Sequence, residues 1–441
     1  MRAPHPSQIS TLLASALIGL AVAARAAEPA AAPAQGEVSY EDVLAHPDDQ
    51  ELNYRFARAQ VAQGDLKGAA ATLERMLLID RNRTDVRLLY AVVLYRLDNF
   101  VEDGRELDLL AALDLPEPMA AQVRAYRDLV SKRSKKTHLS GRLAAGVQYD
   151  SNRNAAPSSG SRLFLDTPIP LTGTSQRQDD FSKLIVGGLD LRRIIDGRGH
   201  EAFASVNYYR SEQNLVKPLN LQAYSVQAGA ALSRGRNTLT PALVFDHVLL
   251  AQSTYLRDRG VDVRLQHDVS QRGDVFAQIH DVFEEFVPTQ AIPTAAERTG
   301  VHVDTTVGGD VVLTPKTRVG GGLVYGVKHA EKRYDAFDRY GATFNAVWLP
   351  GRGTFVLGDF DWYWDTYYAN DPFVSLTPRR DESRRVSGTF GAPLSLVHPA
   401  LKDLIWTLTY EYYHGGSNLQ NFSYFNHKVS MLLTYKWDLG F

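Results

Sequence analysis

The sequence predicts an α-helical repeat domain followed by an antiparallel transmembrane β-barrel of about fourteen strands. Three observations carry this. Helical spacing with an internal offset of 34 residues runs from Pro47 to Lys136, period-2 alternation replaces it up to Phe441, and the connections between alternating segments are tight at every second position.

The N-terminus addresses the compartment. Arg2 precedes an apolar stretch from Leu12 to Ala24, and Ala24-Arg25-Ala26 offers the small-x-small pattern of a signal-peptidase site, so residues 1–26 read as a secretory signal peptide. That stretch is too short to span a bilayer, and nothing downstream approaches the ~18 to 20 apolar residues a transmembrane helix needs. Residues 27–46 are rich in Ala and Pro and are expected to be a flexible linker. There is no cysteine among the 441 residues, which excludes a lipoprotein cleavage site, disulfides, thiolate nucleophiles and Cys-ligated metals. A net charge of -2 with 22% charged residues offers no concentrated basic surface for nucleic acid. Such a composition suits a barrel, in which alternate residues alone face lipid.

Residues 47–136 form the repeat domain. Phe56-Ala57 matches Tyr90-Ala91, Gly64-Asp65-Leu66 matches Asp98-Asn99-Phe100, Leu73 matches Leu107, Met76 matches Leu110 and Asp80 matches Asp114. A period of 34 with small residues at the helix crossing marks tetratricopeptide-type repeats; a generic helical hairpin is the alternative. Arg81 and Arg87 stand where that repeat commonly has Pro and an aromatic. Leu115-Pro116-Glu117-Pro118 stops the second repeat, and Met119 to Arg133 can close the domain as a helix.

Residues 137–441 form the barrel. Leu143, Ala145, Val147 and Tyr149 alternate with Arg142, Ala144, Gly146 and Gln148; Val301, Val303 and Val307 alternate with His302, Asp304 and Thr306. The tight connections include Asp196 to Gly199, Arg234 to Asn237, Gln271 to Asp274, Thr314 to Lys316, Pro350 to Gly353 and His398 to Ala400. The intervening ones are mostly longer, as at 151–179 and 284–297. Short periplasmic turns alternating with longer extracellular loops give this phase, which puts the repeats in the periplasm and the barrel in the outer membrane.

On the last strand Val429, Met431, Leu433, Tyr435, Trp437, Leu439 and Phe441 share one face, with Lys428, Ser430, Thr434, Lys436 and Asp438 on the other. A C-terminal strand ending on an aromatic resembles the signal read by the barrel-assembly machinery, in which Tyr435, Trp437, Leu439 and Phe441 would be the recognised residues. The bland alternative, an edge strand of a soluble sandwich, would leave this apolar row uncovered.

No catalytic motif is present: there is no G-x-S-x-G, H-E-x-x-H or phosphate-binding glycine loop, and the 12 histidines lack ligand spacing, so no enzyme activity, metal or cofactor is expected. Asp359, Asp361 and Asp365 share the lumen face of the strand from Thr354 to Tyr368, opposite Phe360, Trp362 and Trp364. They are candidates, with Arg379 and Arg380, for lining a cargo path. The structural alternative is an ion-pair ladder with Arg379, Arg380, Arg384 and Arg385 on the next strand. Gly320-Gly321-Gly322 either leaves room for an inserted segment or lets the wall bend, and Lys132 to Lys136 either touches anionic head groups or is a solvated linker.

The run YDSNRNAAP from Tyr149 to Pro157 resembles the end of the first strand in the surface lipoprotein assembly modulator family. Arg379-Arg380-Asp381-Glu382 and SNLQNFSYFNHKV from Ser417 to Val429 resemble its C-terminal half, while Arg153 stands where that family commonly has a small aliphatic residue. The resemblance implies tetratricopeptide repeats before a fourteen-stranded barrel, and a role in delivering lipoproteins or soluble proteins to the cell surface. It marks Tyr149, Asp150, Ser151, Asn152, Asn154 and Pro157 as family-motif residues. The implied partners are the outer-membrane bilayer, the barrel-assembly machinery and a protein cargo.

Two functional readings stand. In one, the repeats capture a cargo and the barrel delivers it; in the other, the barrel is a diffusion porin or a polysaccharide-export barrel with a periplasmic scaffold domain. In either, the apolar face of the last strand serves assembly. Replacing Trp437 by Asp should leave the chain in the periplasm for proteolysis, checked by loss of the heat-modifiable band from outer-membrane fractions; a normal band would count against this topology.

Overall fold

The computed structural model describes residue 43 and residues 49–440 apart from 98, 197–198 and 271. The expected signal peptide, most of the expected linker and Phe441 lie outside the described residues. Two compact units are present, one helical and one a barrel.

The helical unit contains α1 (Gln50–Gln63), α2 (Leu66–Ile79), α3 (Thr84–Arg96), α4 (Phe100–Ala111) and α5 (Glu117–Ser134). The Asp49 carboxylate caps α1 by accepting from the Glu51 and Leu52 amides at 3.0 and 2.9 Å, and Gly64 ends it at φ 85°. Asp65 then caps α2 through Gly68 N at 3.0 Å, so the Gly64-Asp65 pair is one tight inter-helix turn. Each helix packs on its chain neighbours, as in a solenoid. The residues related by the offset of 34 take equivalent places: Ala57 and Ala91 are fully buried, as are Leu73 and Leu107, and Met76 matches Leu110. Small residues at 57 and 91 let the helices approach closely. Arg87, in place of an aromatic, forms a largely buried ion pair with Glu106 that ties α3 to α4.

The barrel begins with β1 (Thr137–Asp150), and a small hairpin follows in β2 (Ser161–Phe164) and β3 (Thr167–Pro170). The wall continues through β4 (Asp180–Ile194), β5 (Glu201–Gln213), β6 (Leu221–Arg234), β7 (Asn237–Leu250) and β8 (Ser253–Ser270). It then runs through β9 (Gly273–Phe286), β10 (Gly300–Thr314), β11 (Thr317–Lys328), β12 (Phe337–Gly351) and β13 (Thr354–Tyr367). β14 (Arg380–Pro393), β15 (Leu404–Ser417) and β16 (Tyr424–Gly440) complete it. Fourteen of these strands, β1 and β4 to β16, pair in chain order, and β16 returns to β1 to close the barrel.

Parity sorts the wall. Leu143, Leu243, Val307, Leu323 and Tyr340 stand outward, each more than half exposed, in a band that water would not tolerate and lipid would. No helix among the described residues is long and apolar enough to cross a membrane. One end of the barrel carries mostly tight turns, the other mostly longer loops; the tight turn expected at His398 to Ala400 is instead a longer connection, 394–403, wound into two short 3-10 turns. An exception at the loop end is Ala251-Gln252, which joins β7 to β8 with φ of 46° and 70°, the left-handed geometry of a two-residue hairpin turn. On β11 the glycine run meets its neighbours directly: a Cβ at Gly320 would lie 2.2 Å from Asp310 Oδ1, so these glycines admit adjacent wall side chains. On the outer face a Cβ at Gly141 of β1 would lie 2.0 Å from Trp437 Cζ2, placing the indole of β16 across the closing seam.

One buried group sets a pH dependence in the repeats. The Asp103 side chain of α4 is fully buried with neither carboxylate oxygen hydrogen-bonded, and burial pushes its pKa up to about 7. Folding therefore favours the protonated acid: stability is greatest below the ordinary carboxylate range near 4 and is lost as pH rises towards 7. Asp103→Asn should stabilise the helical transition by roughly 2 kcal/mol at pH 7.5 and leave it nearly unchanged at pH 4, read by helical circular dichroism on heating.

Candidate functional site

Much of the charged lining of the lumen comes from the inward positions of β9 to β16. On β13 these are Asp359, Asp361, Tyr363 and Asp365, and their partners come from three sides. Arg385 of β14 donates from Nε to Asp361 at 2.9 Å and from Nη1 to Glu411 of β15 at 3.3 Å; Lys428 of β16 then donates to Glu411 at 2.9 Å. Asp365 is held by Arg339 of β12 through two parallel bonds of 2.7 and 2.8 Å. Asp359 accepts from Ser387 Oγ at 3.0 Å.

This corrects the expected ladder. Of the four arginines on or beside β14, Arg385 alone reaches the acidic stripe. Arg384 falls on the other parity and pairs outside with Glu382 at 2.6 Å, beside Trp362. Arg379 pairs with Asp381, and its guanidinium lies 3.5 Å from the Phe422 ring centroid. Arg380 is exposed, and its backbone amide donates to Asn418 Oδ1 at 2.7 Å. A further cluster that sequence reading missed joins Glu284 of β9 to His302 of β10, at 3.0 Å, and to Lys328 of β11. All three are inward at the loop end, where strand alternation alone could have placed them but not paired them.

Across the lumen the lining is apolar. Leu221, Val248, Leu250, Tyr255, Leu256 and Phe286 of β6 to β9 form one buried cluster, filled by Ile292 and Ala295 from the 287–299 loop. Among the cavities between the described residues, two stand out by their lining. One, of about 250 Å³, lies at the loop end among Glu284, Lys328, Arg339, Asp361, Asp365, Arg379 and Arg385. The other, of about 140 Å³, is lined by Arg142, Leu184, Asp359, Thr389, Thr409, Glu411 and Lys428. The chain Asp361–Arg385–Glu411–Lys428 runs from the lining of the first to the lining of the second.

The YDSNRNAAP residues make a buried knot at the loop end of the seam. Ser151 N donates to His427 O and His427 N to Ser151 Oγ, both at 2.9 Å. The Asn152 amide donates to Asn426 Oδ1 and Asp150 Oδ1, both at 3.0 Å, while its side chain exchanges two 3.0 Å bonds with the Ala156 backbone. Asn154 accepts from Gln178 N at 3.1 Å and donates to Gln176 O at 2.6 Å, and Pro157 is buried. Tyr149 points outward, its hydroxyl on Asp179 and its ring 5.0 Å from that of Phe181. Arg153 donates to Leu219 O at 2.6 Å and lies 3.9 Å from Asp150. The three segments that resemble the modulator family meet here: Asn426 belongs to the 417–429 run, whose Asn418 and Phe422 hold Arg380 and Arg379.

A closed antiparallel barrel with an apolar exterior and a charged interior is an outer-membrane barrel. Residues 30–93 match the tetratricopeptide repeat family. The protein is therefore an outer-membrane barrel with a tetratricopeptide-repeat domain ahead of it in the chain. Among solved structures, the barrel is similar to OmpT of Vibrio cholerae lacking loop L8 (7% identity, TM-score 0.40, 68% of this chain and 99% of that one). OccAB1 of Acinetobacter baumannii (10%, 0.37, 69% and 97%) and a bacterial polysaccharide outer membrane secretin (8%, 0.34, 69% and 99%) are similar to the same degree. Likeness of this degree carries no argument about what the barrel passes. No curated protein matches the chain in sequence.

The ladder makes a stability prediction. Arg385→Ala would leave Asp361 and Glu411 facing each other without the guanidinium between them, costing about 3 kcal/mol. Urea titration of the barrel in liposomes should show this loss, and Arg384→Ala, on the outer face, should change stability by well under 1 kcal/mol.

Proposed function

We propose that this protein is an outer-membrane delivery factor: its repeats capture a lipoprotein or secreted-protein cargo in the periplasm, and the barrel hands it to the cell surface. The observation that carries the reading is the join between the two units. Helix α5 ends at Ser134 and β1 begins at Thr137, so a binding module is fused to the first wall strand through Lys135 and Lys136. Short tethering makes handover effectively intramolecular, and helical repeats commonly bind another chain along an extended surface. A free diffusion pore gains nothing from such a module. The lumen supports the same choice, because ion pairs and the 287–299 loop occupy part of it. The turn end of β1, where the chain enters the barrel, faces the periplasm in this reading, and the loop end faces outward. The acidic stripe with Arg339 and Arg385 then braces the wall, and Asp359, Asp361, Asp365, Arg379 and Arg380 touch cargo only if the ladder opens.

Deleting residues 47–133 while keeping residues 1–46 tests this. The truncated barrel should still assemble as a heat-modifiable species at normal abundance, while surface display of the cargo falls at least about tenfold, the scale on which tethering acts. Flow cytometry and surface proteomics read the display. Normal display of every surface protein, with a change in small-solute uptake alone, would replace the delivery reading by that of a pore or glycan exporter.

A further inference from the structure

The loop-end cavity is capped by more than wall strands. Arg162 of the β2–β3 hairpin contributes to its lining, and that hairpin is fastened on two sides. Leu163 N donates to Asn421 Oδ1 at 2.5 Å, and Asn421 Nδ2 returns a bond to Leu163 O at 3.0 Å. Leu165 N and Asp166 N donate to Phe373 O and Val374 O at 3.0 Å, and Leu376 N donates to the Asp166 carboxylate at 3.0 Å. The turn between β2 and β3 holds Leu165 and Asp166 at φ 49° and 60°, a strained geometry that these bonds over-determine.

Around the cavity cations and carboxylates are equal in number, but two arginines stay outside the ion pairs. The lining pairs are Lys328 with Glu284, Arg339 with Asp365, Arg379 with Asp381 and Arg385 with Asp361. Glu382 is engaged by Trp362 and Arg384. Arg162 and Arg298 also line the space, and among the described residues neither forms an ion pair; Arg298 donates Nη1 to the Tyr255 hydroxyl at 3.1 Å. Burial lowers the Arg162 pKa from its ordinary value, with no carboxylate close enough to raise it again. A desolvated guanidinium without a counter-ion is costly unless something anionic arrives. The rest of the lining says what else that ligand carries. Tyr363, Tyr367 and Tyr413 bring aromatic side chains to the lining, with Arg339 and Arg379 over the first two rings, and Asp335 suits ligand hydroxyls and repels a second negative charge.

We propose that this cavity binds a small acidic sugar-like compound, a polar ring bearing one carboxylate or phosphate, whose anionic group is held by Arg162 and Arg298. Guanidinium forks match both carboxylate and phosphate oxygens, so these share one chemistry. About 250 Å³ accommodates a monosaccharide-sized ligand and is too small for a folded protein. The site stands independently of the delivery reading, since occupancy is read by binding alone.

Isothermal titration calorimetry on the full chain in detergent micelles, with D-glucuronate, glucose 6-phosphate and glucose as probes, tests the proposal. At least one acidic probe should bind saturably and glucose at least about tenfold more weakly, with glucuronate alone marking a carboxylate site and glucose 6-phosphate alone a phosphate site. Arg162→Gln and Arg298→Gln should each weaken the acid about tenfold, the loss expected for one charge-assisted contact. Arg162→Lys, which keeps the charge and loses the fork, should fall between, and Arg272→Gln on an exposed turn at the opposite end should match wild type. Heat-modifiable migration checks that each variant has assembled. The proposal is overturned if neither acid binds, if glucose binds equally well, or if assembled Arg162→Gln and Arg298→Gln both keep full affinity.

Discussion

A strand edge in a hydrocarbon layer leaves amides and carbonyls that nothing around them can satisfy, so the C-terminal unit depends on β1 meeting β16. Two devices secure that meeting at opposite ends of the seam. At the turn end the Trp437 indole lies across Gly141, where any side chain would collide with it. At the loop end Asn152 and Ser151 lock onto Asn426 and His427 by main-chain and side-chain bonds. Buried amide groups are costly when unpaired and specific when fully paired, so the knot allows one register. Residues of the Tyr149 to Pro157 run therefore take part in the seam that closes the barrel.

The same closure creates an interior that must be filled. One half of it is filled by apolar side chains and the 287–299 loop, the other by charges, and the two halves follow different physics. Apolar packing needs no particular partner. Charges withdrawn from water need each other, which is why Arg339 and Arg385 each sit on an acid from a neighbouring strand and Lys328 reaches across β10 to Glu284. A row of such pairs braces the wall and narrows the lumen at once. Opening a path through it would mean exchanging those pairs for bonds to water, a step that hydration of the lumen would ease.

The helical unit obeys a simpler rule. Each helix buries one stripe against its sequence neighbours, so matching residues of the two repeats do matching work, and Ala57 and Ala91 set the approach of the helices. Where the repeat pattern is broken, a polar substitute has found a partner: Arg87 pairs with Glu106 in a place that an aromatic ring would otherwise fill. Asp103 is the exception, a buried acid without a hydrogen bond.

Periodicity determined the fold from the sequence alone. An offset of 34 is a local property that survives any tertiary arrangement, and parity along a strand dictates which side chains face lipid, so the helical repeats, the fourteen strands and the sorting of Asp359, Asp361 and Asp365 from Phe360, Trp362 and Trp364 were all legible. Pairing was not. Which strand supplies the cation for Asp365 depends on register across the wall, and Arg339 lies 26 residues before it, with nothing local to single it out from Arg379 or Arg380. The meeting of Asn152 with Asn426, 274 residues apart, likewise exists only once the barrel has closed. Secondary structure follows from repeating local chemistry, whereas a lumen and its ion pairs come from residues distant in the chain that closure brings within a few ångströms of each other.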